Sequence, residues 1–198
     1  MFRLFAKLLA ALRGGTSPLI GTLADERKGE FFTWFHLAPR QASSPGDDGR
    51  TWHYFHPEGS NFQHLVKLDV LTTPSDEIVA ARLSLDREFV EDRRNSPFAR
   101  DIAKSFLTWS LRREPGRATA QPLIGNIATF GASGATVLTR GDAPQPPVDT
   151  TGGYAVYLGR REEATLSLTR SRLTLRNVAL TNGSSGHRWL TMDVAAQG

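Results

Sequence analysis

The chain has 198 residues, 39% hydrophobic and 22% charged, with 11 Phe and 4 Trp, which is enough apolar bulk for one core and too little length for two full-sized domains. It contains no cysteine, so disulfides, zinc fingers, iron–sulfur clusters and thiol nucleophiles are excluded by inventory, while the redox compartment stays open. The formal net charge of +4 leans toward anionic partners, although an Arg-rich amino-acid usage alone produces such a balance.

Residues 1–24 read as a basic amphipathic helix and a linker. Leu4, Phe5, Leu8, Leu9 and Leu12 recur at helical spacing, Arg3 and Lys7 lie on the other side, Arg13 follows, and no acid precedes Asp25. Such a segment can lie in a membrane interface, dock on a partner, or pack its leucines on the protein's own core. Lys7 interrupts the apolar run and no small-x-small cleavage site follows, so a removed secretory signal is not expected.

The rest of the chain, 25–198, reads as one α+β domain. Glu30 to Leu37 is rich in aromatics and predicts a strand, paired across the Ser-, Pro- and Asp-rich loop 41–49 with a second strand over Thr51 to Phe55. The clearest pattern is Gln63 to Asp86. Val66, Leu68 and Val70 alternate with Lys67 and Asp69, a turn follows at Thr73 to Asp76, and Val79, Ala81, Leu83 and Leu85 alternate in turn, predicting a hairpin with one buried face and an exposed turn. Ser96-Pro97 is a helix start, and Phe98, Ile102, Phe106 and Trp109 form a stripe that ends before Pro115-Gly116, so a helix over Pro97 to Arg113 is expected to cover the sheet. Leu123 to Phe130 and Ala135 to Arg140 suggest a further hairpin, 141–153 an exposed Pro/Gly-rich loop, and Tyr154 to Leu158 a strand. Thr165 to Leu180 and His187 to Val194 flank Asn182 to Gly186 as a last hairpin, with a phase break near Thr169 to Arg172 that requires a bulge or turn. The expected architecture is therefore a mostly antiparallel sheet packed by one central helix, with the short amphipathic helix appended.

Chemistry-bearing groups are sparse. His53, His56, Glu58 and His64 are the densest set of metal-ligand types, but at a strand end and turn neighbouring side chains diverge, and the spacing matches no metal motif. Gly131 to Ala135 approaches the G-x-S-x-G elbow around Ser133, with His187 and Asp193 downstream, yet its last glycine is replaced by Ala and no helix pattern follows. No phosphate-binding loop, dinucleotide fingerprint or H-E-x-x-H occurs, and no cofactor or metal is expected. Arg170, Arg172 and Arg176 can form an electropositive stripe, without the interleaved aromatics that nucleic-acid readers use.

The function expected from these features is a non-catalytic binding or assembly protein, tethered by its N-terminal helix to an anionic membrane surface or a protein partner, cytoplasmic and membrane-peripheral. The residues of that role are Arg3, Lys7 and Arg13, with Arg170, Arg172 and Arg176 as an anion or partner site. The alternatives are a small hydrolase using His53, His56 or His187 with acidic neighbours, and an Arg-mediated nucleic-acid binder.

Overall fold

The computed structural model describes residues 17–46, 48–59, 61–92, 96–130, 151–180 and 187–197. The elements in chain order are α1 (Leu23–Glu26), α2 (Glu30–Trp34), β1 (Leu37–Pro39), β2 (Ser44–Pro45), β3 (Thr51–Pro57), β4 (Val66–Thr72), β5 (Ile78–Asp86), α3 (Arg87–Glu91) and α4 (Ser96–Ser110). A 3-10 turn (Pro115–Ala120), α5 (Gln121–Phe130), α6 (Gly153–Tyr157), β6 (Glu163–Ser167), β7 (Ser171–Leu180) and β8 (His187–Ala196) follow. The eight strands form one antiparallel sheet in the order β1-β3-β4-β5-β8-β7-β6, with β2 also paired to β3. This is an α+β fold.

Alternation builds the centre of the sheet. Pairing Val66 with Leu85, Leu68 with Leu83 and Val70 with Ala81 sends the apolar set of β4 and β5 to one face, and sends Lys67 with Ser84 and Asp69 with Arg82 to the other. β8 docks on β5 in the same phase, Leu83 against Met192 and Leu85 against Leu190, so the last strand of the chain runs through the middle of the sheet. β5 is consequently buried along nearly its whole length, on both faces, rather than on the single face its alternation predicts. The phase break in the C-terminal arm is a tight turn between β6 and β7, closed by the Leu168 N–H donating to the Ser171 carbonyl at 2.9 Å.

The expected central helix is present as α4, ending at Ser110 with a turn over the next three residues. Its stripe of Ile102, Ala103, Phe106 and Leu107 is fully buried in the main core with the sheet's apolar face. Three segments read as strands are helices. Phe31, Phe32 and Phe35 are buried at helical spacing, with Phe31 stacked on Trp109 at 4.8 Å between centroids and Phe32 edge-on to Phe55 at 5.1 Å. Leu123, Ile124 and Ile127 of α5 repeat that spacing. Gly152, at φ 72°, turns the chain into α6, where Tyr154 and Tyr157 stack one turn apart at 6.2 Å. In all three cases the apolar residues serve one helical stripe, which their aromatic and β-branched composition concealed. α4 thus shares the covering of the sheet with α2, α3, α5 and α6, whose buried residues join the same core. The second strand expected at Ala135 to Arg140 and the loop over 141–150 lie outside the described residues, whereas Gly153, the end of that loop, is a buried helix residue.

Buried polar groups tie the layers together. Glu26 accepts from Trp109 Nε1 at 2.8 Å and pairs with Arg112, pinning α1 to α4. Arg87 donates to the Tyr157 carbonyl at 2.6 Å and Asn177 to the Val156 carbonyl at 2.9 Å, closing the end of α6 onto β7. Glu114 accepts from Gly116 N, Arg170 N and Ser171 Oγ, joining the 3-10 turn to the β6–β7 turn.

Candidate functional site

The chain enters the described fold beside the β4–β5 turn. Leu19 N donates to the Ile78 carbonyl at 2.7 Å, Ile78 N donates back to the Gly21 carbonyl at 2.9 Å, and Ile20 is wholly buried, so this entry is a fixed edge contact. The turn then positions α1: Asp76, at φ 64°, accepts from Leu23 N with its carbonyl at 2.9 Å and from Ala24 N with its carboxylate Oδ2 at 2.8 Å. The turn from Thr73 to Asp76 is therefore a working contact and not a free tip.

Between α1, β1 and β3 this arrangement leaves a hollow of about 190 Å³. Leu23, Pro39 and Phe55 supply apolar walls, and Arg27, His53 and Asp76 bring ionisable groups to it. The Arg27 guanidinium sits 5.9 Å from the centroid of the Phe55 ring, a cation–π placement. His53 Nδ1 lies 2.9 Å from Ser43 Oγ and its Nε2 lies 3.1 Å from Thr72 Oγ1. Burial lowers the pKa of His53 from its ordinary value, the Asp76 charge opposes that shift and Arg27 adds to it, so the imidazole is neutral near pH 7. A neutral ring between two hydroxyls accepts from one and donates to the other.

The remaining histidines are dispersed. His56, three residues beyond His53, falls on the opposite face of β3, opposite Ala38, and Glu58 and His64 are exposed in the turns that follow. Among the described residues no three His, Asp or Glu side chains group as a metal site. His187 is exposed at the start of β8, 3.5 Å from Asp86. Asp193 stands six residues along the same strand, about 20 Å away at strand rise, so the two do not form a pair. Asp193 is instead buried between Arg82 and Arg176; burial pushes its pKa up while those two cations pull it down. Ser133 lies outside the described residues.

The three C-terminal arginines do not share one environment. Arg170 is exposed in the β6–β7 turn, while Arg172 and Arg176 lie on the face of β7 away from the main core. Arg176 is held between Glu163 at 3.0 Å and Asp193 at 3.8 Å, so the stripe is interrupted by its own counter-charges. Arg3, Lys7 and Arg13 lie outside the described residues. No described helix is long and apolar enough to cross a membrane. Trp34, at the end of α2, is 77% exposed and is the only exposed large hydrophobic side chain among the described residues.

Sequence reasoning singled out His53 but missed its partners in the hollow. Arg27, Ser43, His53 and Asp76 come from four separated stretches, and only the docking of α1 on the β4–β5 turn brings them together, which no local spacing signals. Compared with known proteins, the chain matches no protein-family model, no curated protein and no solved structure.

Proposed function

We propose that the protein is a non-catalytic binding or assembly protein that docks on an anionic membrane surface through residues 1–13, as a cytoplasmic, membrane-peripheral protein. The observation that carries this reading is the anchored entry at Leu19 to Gly21, which fixes the chain to the sheet edge only six positions after Arg13. The apolar set Leu4, Phe5, Leu8, Leu9 and Leu12, with Arg3, Lys7 and Arg13, suits an interfacial position. The exposed Trp34 supports it as a side chain suited to the headgroup region. Sedimentation with anionic vesicles at low salt, comparing the full chain with a variant lacking residues 1–15, tests the proposal. The full chain is expected in the pellet and the shortened one in the supernatant. Full-length protein left in the supernatant transfers the role to a protein partner.

One observation favours hydrolysis as a second reading. Ser43 Oγ on the Nδ1 of a neutral His53, at the rim of a hollow, is the geometry of a nucleophile and its base, with Thr72 in the orienting place usually held by a carboxylate. Covalent labelling by a fluorophosphonate that is lost in Ser43→Ala would establish this reading, and an unlabelled wild-type protein would end it.

A further inference from the structure

The hollow beside α1 contains one cation and one anion that do not meet. Arg27 forms no ion pair among the described residues, and its guanidinium is held over the Phe55 ring. Asp76 uses Oδ2 to accept the Ala24 N–H and makes no ion pair among the described residues, although its charge and that of Arg27 both reach His53. Opposite charges facing one small space without touching are both left to be satisfied by water or by a ligand that bridges them. The space corresponds to about six waters at liquid density, room for a compact organic molecule. The apolar walls from Leu23, Pro39 and Phe55 exclude a purely ionic occupant as the best fit, because they offer surface that only a hydrocarbon group would bury.

We propose that this hollow is a binding site for a small zwitterion with an apolar side chain, an α-amino acid or the like. Its carboxylate lies on Arg27, its ammonium on Asp76, and its side chain against Phe55, Leu23 and Pro39. The neutral His53 and the Ser43 hydroxyl hydrogen-bonded to it form the polar wall between the two charges, adding no net charge that would favour a simple anion or cation. A guanidinium matches a carboxylate in a forked geometry, and a carboxylate with a free oxygen accepts from an ammonium, so each end of the ligand has one designated partner. The proposal does not depend on the membrane reading.

The test uses the full-length protein, ¹⁵N-labelled, titrated with L-leucine, N-acetyl-L-leucine and L-leucinamide while amide shifts of Ala24, Arg27, Ser43, His53 and Asp76 are followed. L-leucine is expected to bind with a Kd of about a millimolar, as suits a ligand of this size in an open site. N-acetyl-L-leucine lacks the ammonium and L-leucinamide lacks the carboxylate, and each is expected to bind about tenfold more weakly or worse, the usual consequence of losing a charge-assisted bond. Arg27→Gln should erase the preference for L-leucine over its amide, and Asp76→Asn, which keeps an acceptor for Ala24 N–H and tolerates positive φ, should erase the preference over the acetylated form. Unperturbed shifts with L-leucine, or equal affinities for the three compounds in wild-type protein, would overturn the proposal. Because both substitutions are conservative and the spectrum reports folding directly, a variant that unfolds is recognised as such, and the wild-type comparison of three ligands still decides.

Discussion

Replacing Glu114 with Ala removes one carboxylate that four donors share, the backbone N–H groups of Gly116, Thr169 and Arg170 and the Ser171 hydroxyl. Its Oε1 accepts from Gly116 N at 2.9 Å, and its Oε2 accepts from Arg170 N at 3.1 Å and from Ser171 Oγ at 2.7 Å. Bonds to a charged acceptor contribute about 1.5–3 kcal/mol each when the donor has no alternative. Ser171 is wholly buried and has none, so its hydroxyl should lose close to that full amount. Gly116 and Arg170 are partly open to water, which should recover much of their loss. The sum is about 3 kcal/mol, or a fall in Tm of about 6–12 °C for a chain of this size. Glu114→Gln keeps one oxygen acceptor but turns an NH₂ toward the donors, and about 1.5 kcal/mol is expected. Burial alone would raise the Glu114 pKa, but the bonds from Ser171, Gly116, Arg170 and Thr169 together outweigh it and hold the carboxyl below its ordinary range. A lowered folded pKa means that this stabilisation is complete above the unfolded value of about 4.3 and is lost as pH falls through the folded value. The gap between wild type and Glu114→Gln should therefore close in acid. Urea unfolding followed by tryptophan fluorescence at pH 7 and at pH 3.5 measures both effects. A Glu114→Ala variant within about 0.5 kcal/mol of wild type at pH 7 would refute the reasoning.

Phe106→Ala should cost about 3–5 kcal/mol, since the ring is fully buried against Phe31 and Trp109, while exposed Lys104→Ala should change stability by less than about 0.5 kcal/mol in the same unfolding assay. Two glycines inserted between Pro74 and Ser75 would be nearly neutral in a free turn, but they displace Asp76 from Leu23 N and Ala24 N, so a loss of about 1–2 kcal/mol is expected by calorimetry. The His53 ring, titrated by NMR, should have its midpoint below about 6.5, and the stability it contributes through its neutral form should be present above that pH and be lost as the pH falls through the folded value, a step absent in His53→Gln. Leu8→Glu with Leu12→Glu should abolish pelleting with anionic vesicles while leaving Tm unchanged; a large fall in Tm instead would place those leucines in the protein's own core.

The alternation of Val66, Leu68 and Val70 with Lys67 and Asp69 was enough to define the β4–β5 hairpin and its core-facing side, because a period of two can only mean a strand with unlike faces. The helix-start signal read at Ser96-Pro97 and the Phe98 to Trp109 stripe located α4 for a comparable reason. The absence of cysteine and of nucleotide motifs was equally plain in the residues alone. Phe31-Phe32, Leu123-Ile124 and Tyr154 to Tyr157 were different: short apolar runs fit either period, and it was packing on Trp109, on Phe55 and within the shared core that selected the helix. The pairing of β8 with β5 rather than only with β7 was decided by tertiary structure as well, since matching Met192 to Leu83 and Leu190 to Leu85 buries surface that neither strand can bury with its chain neighbours. The hollow at Arg27, His53 and Asp76 has the same origin. Its charges are far apart along the chain and line one hollow, without touching, only because Asp76, turned into a left-handed conformation, caps α1 across the end of the sheet.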